Sequence, residues 1–572
     1  MSTRPSIREF NYFSAIILSA NILTMLHKNF TLVFILGFFT FSVAGQSIDP
    51  NQLEASIDAL IPPNVNDSTP GLVVGVVQGG ELIFSKGYGM ANLTYGIAND
   101  PKMVYNIGSV TKQFLGYAFA VLHSQGKLSI DDPVHQYLED WPKFEQAVTL
   151  HHLLTHTSGY REAYTMSNLV GRYIGVDRLS REECLKVVRK QPQLEFIPGS
   201  RYTYNSTAWV ILAEVFERVT GESPEIWIEK NIFQPLGMEA TCIETYVGEV
   251  IPNAAESYSY QSDQGYANEK SNRAIFGAAD IVTSVEDLAK WVNNYRTAEV
   301  GGEAANGVFL EPFTLNDGTD AEYALGIGIN TYRGLRRYRH TGGHEAFLTQ
   351  LSYYPDHDTG IILISNFGGS GVILSTKIAE LLLAEHMNPA EASATESVKI
   401  DRADLEQWTG MYRASTLNQV IKLRMDGDTL AFGSQAKLIP TATNVFRING
   451  TEDEVTLKKL ADGSVQMAMS GNSRRVFSRV EPWSPSADDL KAFEGDYWSD
   501  ELESVYHLRV EEDHLSIHHR WLGEITLEPV TDDFFRTNYG FYINFNRTEE
   551  DELTGLSVNS GRTLNVIFNL QD

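Results

Sequence analysis

Two stretches in the last third of the chain repeat one another at a fixed offset. Leu405, Gly410, Tyr412, Val420, Leu423 and Leu430 recur 85 positions on as Leu490, Gly495, Tyr497, Val505, Leu508 and Leu515. Past a four-residue insertion, Pro440 and Asn444-Val445-Phe446-Arg447 recur 89 positions on as Pro529 and Asp533-Phe534-Phe535-Arg536. An ordered series at one offset marks a duplicated structural unit. Apolar and polar residues alternate within each copy, the pattern of short antiparallel strands. The repeat therefore predicts two small antiparallel β-barrels, over 400–480 and 484–572. Residues 388–397 are small and polar and read as linker, set at 388–399. That leaves 46–387 as one larger unit.

The larger unit opens with a strand from Gly71, a Gln78-Gly79-Gly80 turn and a second strand from Glu81, a hairpin pattern. Phe114, Leu115, Ala118, Phe119 and Leu122 then follow helical spacing, so an amphipathic helix is expected over 109–124. The stretch 131–291 reads as mostly helical or loop. Strands return over 323–366, and a helix closes the unit near 372–386. Strands, helices, then strands and a helix make a layered α/β domain with an inserted helical part, not a βαβ repeat.

Charge and compartment narrow the function classes. With 45 Lys and Arg against 73 Asp and Glu, the net charge is −28. A nucleic-acid partner needs a basic face and is disfavoured. The apolar run from Asn29 to Ala44 is shorter than the ~20 residues that span a bilayer. It is preceded by His27-Lys28 and closes on Val43-Ala44-Gly45, the order of a secretory signal over 1–45, with Met25 a fitting start. The expected mature chain is periplasmic or secreted with no stable membrane span; an uncleaved anchor is the alternative. In such a compartment the only two cysteines, Cys184 and Cys242, could pair.

Ser109-Val110-Thr111-Lys112 carries the chemistry. Ser-x-x-Lys also occurs at Ser124 and at Ser434, but only Ser109 opens a helix. Residues i and i+3 share a helix face, so Lys112 can approach the Ser109 hydroxyl, and the helix N-terminus favours an alkoxide. Taken alone, Ser109 could equally be an N-cap with Lys112 solvated. His151, His152 and His156 cluster without a completing Cys or carboxylate pattern, so no metal and no cofactor are expected.

The wider series resembles the serine β-lactamase and penicillin-binding-protein-like superfamily, in its branch of class C β-lactamases, serine esterases and D-aminopeptidases. The matching strings are Gly87-Tyr88-Gly89, Ile107-Gly108-Ser109-Val110-Thr111-Lys112, Leu153-Leu154-Thr155-His156-Thr157-Ser158-Gly159, Pro198-Gly199 to Tyr204, Pro235-Leu236-Gly237-Met238 and His340-Thr341-Gly342-Gly343. The resemblance implies an antiparallel sheet with flanking helices plus a helical subdomain. It also implies an acyl-enzyme on Ser109, proton transfer by Lys112 and Tyr204, and an oxyanion hole from the N–H groups of Ser109 and Gly343. His340, Thr341 and Gly342 fall on the family's strand motif, with His340 catalytic and Thr341 and Gly342 beside substrate. Ser206 replaces the asparagine of the family's Tyr-x-Asn, which puts that amide's substrate contact in doubt. His340 in place of a lysine removes a fixed cation that would grip a substrate carboxylate. That counts against β-lactam hydrolysis and carboxypeptidase work.

The three-part architecture is similar to the D-aminopeptidase branch, so a small-molecule or short-peptide substrate is implied. A serine esterase or β-lactamase on the same residues is the nearest rival, and a non-catalytic binding protein the more distant one. The barrels are expected either to restrict the cleft with a loop, Asp426-Gly427-Asp428 or the His518–Glu524 stretch, or to add stability or bind a cell-envelope partner.

Overall fold

The computed structural model describes residues 49–173, 176–368, 371–389, 398–414, 419–433, 436–449, 453–470 and 475–572. The apolar N-terminal run, Ser434 and most of the linker lie outside them. A six-stranded antiparallel sheet is built from β1 (Leu72–Gln78), β2 (Glu81–Tyr88), β3 (Gly328–Tyr332), β4 (Leu335–His344), β5 (Phe347–Tyr354) and β6 (Thr359–Ser365), in the spatial order β3-β4-β5-β6-β1-β2. The early and late parts of this domain meet here, since β1 lies between its hairpin partner β2 and the late strand β6.

Period-2 alternation on β1 explains why both sheet faces are covered. Val73 and Val77 join one core, while Leu72, Val74 and Val76 join another. The first core lies under α3 (Val285–Thr297) and over α1 (Thr111–Ser124); the second lies under α4 (Gly371–Leu383). Gly75 allows this packing, since a Cβ there would stand 2.4 Å from a Val285 methyl. The expected amphipathic helix differs in one respect: from Thr111 to Leu122 every residue is buried. A helix enclosed on all sides is a core helix, and it carries Lys112 inside with it. The inserted region is mainly helical, and includes α2 (Ser206–Thr220). It also holds a hairpin over Ser257–Gln261 and Gly265–Glu269, which polar strands without apolar alternation concealed. Among the described residues no helix is long and apolar enough to cross a membrane.

Both repeats close into eight-stranded antiparallel barrels. Their registers reproduce the sequence offsets. Gly410 pairs with Leu423 and Gly495 with Leu508, and each barrel has an irregularity at Pro440 or its counterpart Pro529. The repeated tyrosines serve one purpose, Tyr412 donating to the Trp408 carbonyl at 2.7 Å and Tyr497 to that of Phe493 at 2.9 Å. The cysteines do not pair: Cys184 is buried on the helix Arg181–Arg189, and half-buried Cys242 sits on a strand paired with Val282. The pairing that the sequence left open is therefore not made, and both thiols are free.

The second barrel docks on the larger domain. Met166 and Leu169 of that domain belong to the barrel's apolar core, and Tyr506 donates to the Leu169 carbonyl at 2.6 Å. At the centre lies Arg161, whose side chain is 0 % exposed. It donates to both carboxylate oxygens of Glu501 at 2.9 and 3.1 Å, to Glu195 at 3.2 Å, to the Asn565 carbonyl at 3.0 Å and to the Leu564 carbonyl. Burial opposes the guanidinium charge, but Glu501 and Glu195 outweigh it and hold Arg161 charged. Arg161→Met would leave these carboxylates buried without a cation, a change worth about 3–5 kcal/mol. Urea unfolding should show that loss as an early step in which the second barrel separates. A single transition at the wild-type midpoint would contradict the docking role.

Candidate active site

Ser109 sits in a 3-10 turn, Gly108–Val110, that runs straight into α1. Two close approaches fix this turn. Gly108 has φ +52°, and a Cβ on it would lie 2.6 Å from the Gly343 nitrogen; a Cβ on Gly342 would lie 1.9 Å from the Ile107 carbonyl oxygen. Backbone of β4 is therefore pressed against the nucleophile's turn. The sequence reading gave Gly342 to the substrate, but the missing side chain makes room for Ile107 instead. Thr341 and Gly343 are exposed, while His340, Gly342 and His344 are buried, the alternation of a strand with one open face.

Lys112 Nζ lies 3.2 Å from Ser109 Oγ and donates to the Ala278 carbonyl at 2.7 Å. Burial, then the cation of Arg562, push its pKa well below the usual lysine value, with Glu162 and Asp280 pulling the other way. The same burial raises Tyr204 to about 12, against the pull of Ser109 and Arg562. Desolvation disfavours whichever form is charged, so it favours loss of the lysine's proton and retention of the phenol's. The Tyr204 ring is 5.1 Å from Lys112 Nζ, and its buried hydroxyl has no full hydrogen bond among the described residues. An uncharged amine touching a serine, beside a protonated phenol, can accept the serine proton and pass one to a leaving group.

His340 stands one step away. Its Nδ1 donates to the Thr341 carbonyl at 2.7 Å, so Nε2 must accept, and it accepts from Tyr323 Oη at 2.8 Å. His156 completes the chain. Its Nδ1 accepts the Asn205 N–H at 2.9 Å, leaving Nε2–H to face Tyr323 Oη at 3.3 Å, and its ring stacks on Tyr204 at 4.0 Å. Burial, then the charge on Lys112, push His340 down to about 3, so it stays neutral. His340 touches Tyr323 and its own backbone, and no hydrogen bond takes it to Ser109, Lys112 or Tyr204 among the described residues; its place is that of a positioning residue. Asn205, not Ser206, is the polar residue beside Tyr204 that acts. It caps α2 by accepting from the Ala208 N–H at 2.8 Å and donates to the Tyr160 carbonyl at 2.5 Å. Ser206 is buried in the first turn of α2, and its hydroxyl makes no hydrogen bond among the described residues. No metal-binding group of three gathers among the described residues.

Three residues that sequence reasoning did not name complete the site. Tyr323 bridges the two histidines. Glu162 is 1 % exposed, and its Oε1 has no hydrogen-bond partner among the described residues. Arg562 comes from the second barrel, its guanidinium carbon 4.9 Å from the Tyr204 ring centre. The loop that reaches the site is thus the turn Ser560–Thr563. Of the two expected loops, Asp426 and Asp428 pair with Lys437 and Arg402 of their own barrel, and Trp521 packs on Gly171. His156 did lie in a matching sequence string, but Tyr323, Glu162 and Arg562 carried no such signal, Arg562 being one arginine among many.

A model of the family described as Beta-lactamase matches residues 57–384. A D-aminopeptidase of Cereibacter sphaeroides is 25% identical over 471 residues, covering 80% of this chain and 84% of that one. A penicillin-binding protein of Bacillus subtilis is 25% identical over 413 residues, covering 66% of this chain and 88% of that one. Among solved structures, the octameric penicillin-binding protein homologue from Pyrococcus abyssi aligns with TM-score 0.54 at 23% identity, covering 75% of this chain and 100% of that chain. It shares the fold.

The two depressed and raised groups define a pH profile. Acylation of Ser109 by an activated ester should climb as Lys112 loses its proton, below the ordinary lysine value of 10.5, and should not fall until Tyr204 titrates near 12. Lys112→Met should remove the climb and slow acylation by about 10²–10⁴-fold. A limb that instead descends near pH 9 to 10 in the wild type would show that a protonated group such as the Lys112 ammonium is required, and would overturn Lys112 as the base.

Proposed function

As a member of the beta-lactamase family this chain is a serine hydrolase, and we propose that it is a D-aminopeptidase-like peptidase releasing the N-terminal residue of short substrates. In this mechanism Lys112 takes the Ser109 proton as Oγ attacks the substrate carbonyl. The N–H groups of Ser109 and Gly343 hold the resulting oxyanion, a large catalytic term when such donors are fixed in advance. Tyr204 gives its proton to the leaving amine and is reprotonated from Lys112. Water then attacks the acyl-enzyme, its proton leaving by the same groups, and Ser109 is restored. Thr341, exposed on β4, lies along the bound substrate, and Ser206 borders it from the start of α2. His340, through Tyr323 and His156, keeps β4 and Tyr204 in register with the nucleophile.

The observation that carries the choice of an aminopeptidase is Glu162. A buried carboxylate oxygen without a partner costs several kcal/mol unless a cation or donor arrives. Its charge is felt by both Lys112 and Tyr204, which places it at the reacting centre. A substrate's free α-ammonium is the cation that fits. The D-aminopeptidase relative matches 80% of this chain, more than the hydrolase domain alone makes up, which favours this reading over an esterase. The proposal keeps the exported location implied by the Asn29–Ala44 run.

A fluorophosphonate should label Ser109, located by mass spectrometry; an adduct elsewhere, or none, sinks the mechanism. D-aminoacyl p-nitroanilides should be cleaved in preference to their L forms. N-acetylation should lower kcat/KM by about a hundredfold or more, the worth of a buried charge-assisted contact. Glu162→Gln should abolish most of that discrimination. Equal turnover of free and acetylated substrates would leave an esterase or amidase reading in its place.

A further inference from the structure

We propose that Arg562, delivered by the second barrel, binds the free carboxylate of the leaving amino acid, so that the preferred substrate is an unblocked dipeptide. This rests on the aminopeptidase reading and narrows it. The sequence placed a neutral histidine where relatives carry a cation, and so argued against carboxylate recognition. The fold supplies the cation from 222 positions further along the chain, the separation of Arg562 from His340.

Three features make Arg562 a ligand-binding group and not a surface charge. First, it is held in place. The turn Ser560–Thr563 between two barrel strands is clamped on both flanks: the Glu162 N–H donates to Thr563 Oγ1 at 3.1 Å, the Leu564 N–H donates to Glu195 at 3.0 Å, and Arg161 grips the Leu564 and Asn565 carbonyls. Second, its side chain is exposed and has no ion pair or hydrogen bond among the described residues, so its five donors are open to a ligand. Third, it lies against Tyr204, the group that protonates the leaving nitrogen. An α-amino acid carries its carboxylate two bonds from that nitrogen, so a leaving amino acid at Tyr204 presents its carboxylate to whatever cation borders the phenol. A planar guanidinium matches a carboxylate with two parallel hydrogen bonds. With Glu162 for the ammonium, both ends of a zwitterionic dipeptide find a partner of opposite charge. Glu162 is itself a rival anion, since its backbone N–H donates to Thr563, the neighbour of Arg562.

The test compares release of the N-terminal residue from D-alanyl-glycine and from D-alanyl-glycinamide by the full-length chain. The wild type should favour the free acid by about tenfold or more in kcat/KM, as a charge-assisted pair implies. Arg562→Met should collapse that ratio to near one, chiefly through KM for the free acid, and Arg562→Lys should retain part of it. A wild type that shows no preference overturns the proposal, whatever the variants do. So does an Arg562→Met variant that slows both substrates alike, which would make Arg562 a neutraliser of Glu162 or a tuner of Tyr204. Release of D-alanine from the glycinamide reports on the aminopeptidase reading separately: an enzyme that cleaves both substrates without preference refutes this inference alone, and one that cleaves neither refutes the aminopeptidase reading and this inference with it.

Discussion

A single buried guanidinium organises the relation between catalysis and the appended barrels. Arg161 has been taken wholly out of water, and a desolvated charge is tolerable only when every donor is answered. The answers come from three distant parts of the chain: Glu195 of the helical insertion, Glu501 at the start of the second barrel, and the carbonyls of Leu564 and Asn565 at its end. An arginine can do this and a lysine cannot, since the fork presents five donors in one plane. Because the carbonyls belong to the strand that follows Arg562, the constraint that docks the barrel also aims that residue. Stability of the interface and composition of the active site are therefore one problem, which explains why a hydrolase domain complete in its motifs carries a barrel that is docked so tightly.

The site shows one physical term acting with opposite signs on two neighbours. Burial lowers the lysine and raises the tyrosine, so it favours the uncharged form of each. One cause thus favours the base form of the first and the acid form of the second. Arg562 sharpens the lysine's shift and moderates the tyrosine's, and Glu162 does the reverse. The two charges proposed to recognise substrate are thus also among the charges that shift the proton-transfer pair. Binding a zwitterion would neutralise both at once, leaving the balance between Lys112 and Tyr204 little changed as substrate binds.

Local patterns made much of this legible. Ser109 and Lys112 are one helical turn apart, Tyr204 follows a recognisable Pro-Gly, and the barrels announce themselves by period. What stayed hidden depended on tertiary burial or on contacts over hundreds of positions. The all-round burial of α1 could not be read from its apolar spacing, which fits an amphipathic helix as well. Gly342 looked like a place for substrate, yet Ile107 fills it. The pairing of Arg161 with Glu501 spans 340 positions, and no spacing rule reaches that far. Two loops were reasonable guesses for the one that reaches the cleft, because polarity marks a turn without saying where the barrel's docking will point it.

The identity of residue 340 follows from the same network. Tyr323 Oη must place its proton on an acceptor, and neutral His340 Nε2 provides one while Nδ1–H satisfies the Thr341 carbonyl. A lysine there has three donors and no acceptor when charged, so the Tyr323 hydroxyl would lose its partner and the chain to His156 would break at its first link. It would also set a second cation inside the field of Lys112, where burial already disfavours charge. The histidine is therefore not a weakened version of a cation-bearing strand. It fits the proposed arrangement, in which a carboxylate-binding charge comes from the second barrel at Arg562 and β4 is left to fix geometry.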